Sequence, residues 1–122
     1  MGRTARLELV LDCAEPQGLQ EFWRAALRYR TLHSSPELVV LVPDDDRDAS
    51  PLLLQQVPEA KAGKNRMHVD LIAADVTPEV DRLLALGATR AHDGVQRLGP
   101  VAWVTLRDPE GNELCVSTGV EW

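Results

Sequence analysis

The chain is poor in cysteine, in basic charge and in long apolar runs, and each shortage removes a class of protein. Two cysteines in 122 residues, Cys13 and Cys115, are too few for a disulfide framework. Both are expected to be reduced thiols in a cytoplasmic protein. Against 19 Asp and Glu stand 13 Lys and Arg, giving a formal net charge of −6. No basic stripe offsets that balance locally, which argues against a nucleic-acid partner. No apolar run reaches transmembrane length, and the start, Met1-Gly2-Arg3-Thr4-Ala5-Arg6, has no apolar h-region. Neither a membrane span nor a signal peptide is expected. What is present, 44% hydrophobic and 26% charged residues, suits one folded domain long enough to bury a core.

Apolar periodicity divides the chain into two similar halves. From Arg6 to Asp12, Leu7, Leu9 and Leu11 alternate with Glu8, Val10 and Asp12, the pattern of a strand. Pro16 stands where a first helical residue would, and Leu19, Phe22, Trp23, Ala26 and Leu27 follow at helical spacing. Strands are predicted at Tyr29–His33, Glu37–Val42 and Pro51–Val57. The acidic run Asp44–Asp48 reads as a solvated turn, because Ala49 and Gln55 replace the glycine and closing glutamate of a calcium loop. A polar linker at 59–66 follows. The order then repeats: a strand at Met67–Ala73, a helix capped by Thr77-Pro78-Glu79 with Val80, Leu83 and Leu84 inward, and Gly87 ending it. Strands near Thr89–His92, Val101–Arg107 and Glu113–Thr118 complete the half, the last two joined by the turn Asp108-Pro109-Glu110-Gly111-Asn112. An offset of roughly 60 residues relates the halves, placing Glu8 on His68, Glu15 on Asp75, His33 near His92 and Gln55 on Cys115. The fold class is therefore α+β, in two duplicated modules at about 5–58 and about 67–119.

Several stretches carry a resemblance. They are Leu11-Asp12-Cys13-Ala14-Glu15-Pro16 with Phe22-Trp23 and Ala26-Leu27-Arg28-Tyr29, then Leu53-Leu54-Gln55-Gln56-Val57-Pro58. Lys64-Asn65-Arg66-Met67-His68-Val69-Asp70-Leu71, Leu86-Gly87-Ala88 and Asp108-Pro109-Glu110-Gly111-Asn112-Glu113 follow in order. Together the chain resembles the vicinal oxygen chelate superfamily, and within it the glyoxalase-like proteins. That superfamily includes glyoxalase I, extradiol dioxygenases and the fosfomycin- and bleomycin-resistance proteins. The resemblance implies two βαβββ modules forming an incomplete barrel, a concave ligand cavity and a homodimer. It also implies up to four metal ligands, on the first and last strands of each module.

Carried over position by position, the resemblance makes His68, Glu8 and Gln55 candidate ligands. Strand parity supports His68, since Val69 and Leu71 would face the helix and leave His68, Asp70 and Ile72 on the cavity side. The other reading of His68 is a histidine satisfied by hydrogen bonds in a polar cavity. Glu8, on the inward strand face, is costly to bury without a proton, partner or metal; a solvated rim is its alternative. The fourth position departs from the pattern, because Cys115 stands where family enzymes carry glutamate. Glu113, two residues earlier with the same facing, is then a candidate ligand; Cys115 could itself ligate Zn²⁺ as thiolate, its other reading being a small apolar filler. Glu8 or Glu113 would be the catalytic base. Asp70, Trp103 and Cys115 are placed in the substrate cavity, with Trp103 either stacking on a ligand or packing in the core.

Two functions follow as expectations. One is a metal-dependent lyase or isomerase acting on a small oxygenated metabolite, with one divalent ion from among Zn, Ni, Mn and Fe. An extradiol dioxygenase fits less well, because its site needs two histidines and only His68 occupies a histidine position. The other is a metal-free homodimer that binds and sequesters a small molecule.

Overall fold

The computed structural model describes residues 4, 6–44 and 49–120. Of the acidic turn, Asp45, Asp46, Arg47 and Asp48 lie outside the described residues. The chain divides into two compact units, Met1–Ala60 and Lys61–Trp122.

In the first unit the order is β1 (Leu9–Cys13), α1 (Pro16–Leu27), β2 (Tyr29–Ser34), β3 (Leu38–Pro43) and β4 (Leu52–Gln56). Pro16 takes the first helical position, where a missing N–H costs nothing. Leu19, Phe22, Trp23 and Ala26 then fall on one face and are all buried. They pack on β3 and β4, where Val39, Leu41, Leu52 and Leu54 point inward. Trp23 is the largest of these, 1% exposed, with Phe22 edge-on to it at 5.4 Å. The sheet runs β1-β4-β3-β2, with β1 and β4 parallel. On β1, Val10 and Asp12 alternate outward against Leu9, Leu11 and Cys13.

The second unit repeats the plan: β5 (Val69–Ile72), α2 (Val76–Ala85), β6 (Thr89–Arg90), β7 (Gln96–Leu98), β8 (Val101–Arg107) and β9 (Glu113–Ser117). Three strands were expected after the helix, and four are present because the edge strand is split. β6 pairs with the Arg107 end of β8 and β7 with its Val101 end. Between them Gly94 turns the chain at φ 74°. The helix also starts earlier than the Thr77-Pro78-Glu79 cue suggests. Asp75 is the N-cap and accepts the Thr77 N–H at 3.3 Å, so Pro78 falls among the first-turn residues whose N–H groups have no helical partner. Val76, Val80 and Leu83 are buried, while Leu84 is half-buried.

Each sheet is open and carries its helix on one face. In the second sheet Leu71, Leu114, Val116, Val104 and Leu106 form the helix-side core. Strand alternation turns Asp70, Glu113, Cys115, Ser117, Trp103, Thr105 and Arg107 to the other face. The β8–β9 loop is tied by Asp108, 2% exposed. Its Oδ1 accepts the N–H groups of Glu110 and Asn112, each at 2.9 Å, and both oxygens accept from the Asn112 amide. Residues 61–66, read from sequence as linker, are anchored to this unit. Lys61 Nζ lies 2.8 Å from Glu113 Oε1, and the Asn65 N–H donates to Glu113 Oε2 at 3.2 Å.

Candidate functional site

The face of the second sheet away from α2 holds a cavity of about 440 Å³, lined in part by His68, Asp70, Gln96, Trp103, Thr105 and Cys115. That volume lies within the ordinary range of small-ligand sites. Four strands build it: β5 supplies Asp70 just after His68, β7 supplies Gln96, β8 supplies Trp103 and Thr105, and β9 supplies Cys115. In register, Asp70 lies beside Cys115 and Cys115 beside Thr105. Trp103 is half-buried and lines the cavity instead of filling the core.

His68, Asp70 and Cys115 converge, each offering one ligand atom within 4.8 Å of the others. The His68 Nδ1–H donates to Asp70 Oδ1 at 2.8 Å. In the neutral ring this leaves the lone pair on Nε2. A cation taking both His68 and Asp70 would replace this bond, drawing on Nδ1 after loss of its proton. Burial pushes the Cys115 thiol up; the Thr105 hydroxyl opposes this, and the negative charge of Asp70 adds to it. Thr105 Oγ1 lies 3.5 Å from Cys115 Sγ and donates to Gln96 Oε1 at 3.2 Å. Imidazole, carboxylate and thiol together are a borderline-soft donor set that fits zinc better than manganese. Three protein donors with an open fourth position is the arrangement of a zinc site that accepts a ligand.

Glu113 is placed differently. It is 7% exposed, and its carboxylate is already held by Lys61 and the Asn65 N–H. Burial alone would raise its pKa, but Lys61 and the backbone donors outweigh this and hold it below the usual glutamate value. It lines a neighbouring cavity rather than the His68 cluster.

In the first unit, Glu8 is exposed just before β1, and Gln55 is exposed on β4. Gln55 lies beside Asp12, four residues beyond Glu8. Four strand residues span about 13 Å, too far for Glu8 and Gln55 to share one ion. The register also corrects the offset that placed Gln55 on Cys115. Leu9 pairs with Leu52 and Val69 with Leu114, so Leu53 is the counterpart of Cys115, and Gln55 that of Ser117. Gln96, Thr105 and Ser117 were missed as lining residues; alternation along β8 through Trp103, Thr105 and Arg107 was the signal for Thr105.

Two open sheets, each from a βαβββ unit with a polar cavity on the face away from its helix in the second, define the glyoxalase/bleomycin resistance/dioxygenase fold of the vicinal oxygen chelate superfamily. Within it the chain belongs to the glyoxalase-like domain family, whose model matches residues 8–117. Among solved structures it is similar to a glyoxalase/bleomycin resistance protein/dioxygenase family enzyme from Burkholderia phytofirmans PsJN, with TM-score 0.71, 16% identity and coverage of 90% of this chain and 94% of that one. It is similar to lactoylglutathione lyase from Agrobacterium tumefaciens, with TM-score 0.69, 20% identity and coverage of 95% and 94%. It is also similar to the bleomycin-binding protein of Streptomyces verticillus, solved with copper(II)-bleomycin, with TM-score 0.71, 14% identity and coverage of 98% and 100%. At these identities the likeness is one of fold. No curated protein sequence matches significantly. No helix among the described residues is long and apolar enough to cross a membrane.

Proposed function

We propose that the chain binds a small oxygenated organic molecule in the Trp103 cavity, with one divalent cation held there by His68, Asp70 and Cys115. The convergence of those three donors within 4.8 Å, inside a ligand-sized cavity, carries this reading. A cation so held supplies Lewis-acid polarisation of ligand oxygens, the basis of lyase or isomerase chemistry. Trp103 provides an aromatic wall, and Gln96 and Thr105 offer hydrogen bonds that set ligand orientation.

Calorimetric titration of the metal-stripped chain with Zn²⁺ tests the proposal. One site per chain is expected, lost in His68→Ala and in Cys115→Ala, with circular dichroism confirming that both variants fold. Equal binding by all three proteins, or none by the wild type, would remove the metal.

A second reading, a metal-free protein that sequesters its ligand, is favoured by one observation. Glu113, the carboxylate expected as base or ligand, is committed to Lys61 and Asn65. This reading expects thermal stabilisation by organic compounds and none by metals. In either case the proposed assembly is a homodimer. Apolar side chains on the helix-distal strand faces, Val10 in one unit and Ile72 in the other, support it. Light scattering on the eluted peak checks it.

A further inference from the structure

We propose that a second cavity, beside the first, is an oxyanion subsite that takes the carboxylate or phosphate end of an extended ligand whose head lies against Trp103. The head's placement rests on the reading of the Trp103 cavity; the subsite stands on other residues. It too has a volume of about 440 Å³, and Lys61, Lys64, His92, Arg107, Glu110 and Glu113 are among its lining. Lys64 and His92 line both cavities, so the two adjoin.

Charge accounting singles out this cavity. Glu113 and Lys61 neutralise each other at 2.8 Å, and the Lys61 ammonium also reaches the Gly63 carbonyl. Among the described residues Lys64 Nζ donates only to the backbone carbonyl of Asn65, at 3.3 Å. Among the described residues no carboxylate forms an ion pair with Lys64 or Arg107. Two cations therefore face the cavity against one further carboxylate, Glu110, in a chain whose formal charge is −6. A guanidinium presents paired N–H donors that match carboxylate or phosphate oxygens, and Lys64 adds a point charge.

The strand geometry sets the ligand's length. Trp103 and Arg107 lie on one face of β8 with Thr105 between them, so their Cα atoms are about 13 Å apart. A compact two- or three-carbon acid cannot span both. The class that fits is an oxygenated metabolite with an apolar or aromatic head and a terminal oxyanion several bonds away. Asp108 holds the loop that carries Glu110 and Gly111, so that wall of the subsite is set before any ligand arrives.

The test is a ¹⁵N-resolved NMR titration of the full chain with inorganic phosphate and, separately, with succinate, at constant ionic strength set by sodium chloride. Saturable shifts at the amides of Gly63, Lys64 and Gly111 are expected. They should vanish in Arg107→Gln and need roughly tenfold more anion in Lys64→Gln. Preserved spectral dispersion shows that each variant is folded. A stronger response to phosphate or to succinate identifies which oxyanion the subsite prefers. Shifts that chloride reproduces, or that persist in Arg107→Gln, would overturn the subsite. His68→Ala should leave the anion response intact, while Arg107→Gln should leave zinc binding intact. Failure of this proposal is thereby separable from failure of the metal reading.

Discussion

Replacing Lys61 by Met removes the only cationic partner, among the described residues, of a nearly buried carboxylate. Glu113 is 7% exposed and, among the described residues, keeps one other donor from a different residue, the Asn65 N–H at 3.2 Å. Breaking a fully buried ion pair costs about 3–5 kcal/mol. The Lys61 side chain is 26% exposed, so water can reach the vacated position, and the expected loss falls to about 2 kcal/mol. Glu113→Gln keeps an acceptor for Asn65 and leaves Lys61 able to turn to solvent, so it should cost only about 1 kcal/mol. The double variant should resemble Glu113→Gln rather than the sum of the two, because the partners are coupled. Urea unfolding followed by circular dichroism measures all three. The pH dependence has a definite sign. Glu113 titrates below its ordinary value of 4.5 in the folded chain, so its ionised form adds stability above that range. That stability is lost as pH falls through the folded pKa. Without Lys61 the contribution shrinks, so wild type and Lys61→Met should converge in stability as pH falls from neutrality to below the depressed folded pKa of Glu113. A Lys61→Met loss below about 0.5 kcal/mol, or a gap that acid leaves unchanged, would refute the reasoning. Glu113 would then be free to act as the ligand or base expected from the sequence.

Three other outcomes are expected. Asp108→Ala removes a buried carboxylate that accepts four hydrogen bonds from Glu110 and Asn112, and should destabilise the chain by about 3 kcal/mol in the same unfolding assay. Leu54→Ala opens a void at a fully buried position beneath α1 and should cost about 3 kcal/mol, with little effect on zinc affinity measured by calorimetry. Zinc at a hundred times its dissociation constant should stabilise the wild type by about 2.7 kcal/mol, raising Tm in a thermal scan, and should leave His68→Ala unmoved.

Much of the architecture could be read from the residues because it is written in local periodicity. Pro16 with Leu19, Phe22, Trp23 and Ala26 specifies α1 and its buried face, and Asp108 through Asn112 specifies the β8–β9 turn. The alternation around Val69 and Leu71 also puts Asp70 on the cavity side of β5. Long-range relations were not readable. Between the helix cap and the last strand, the second unit carries two residues more than the first. A constant offset from the caps therefore misplaces Gln55 against Cys115, although its facing is preserved. Lys61 and Glu113 are 52 positions apart, and a polar segment such as 59–66 gives no local sign that two of its residues clamp a distant carboxylate. The cavity cluster was half-legible: His68, Asp70 and Cys115 were each placed in or near it. Their convergence depends on the β5–β9 register, which periodicity alone does not set.

The most direct measurement is the electronic absorption spectrum of the metal-stripped chain titrated with Co²⁺, a spectroscopic substitute for zinc. A thiolate-to-cobalt charge-transfer band that saturates at one ion per chain, and is absent in Cys115→Ser and in His68→Ala, is the expected result. Saturation without that band, or a spectrum unchanged by either substitution, would contradict a cation held by His68, Asp70 and Cys115.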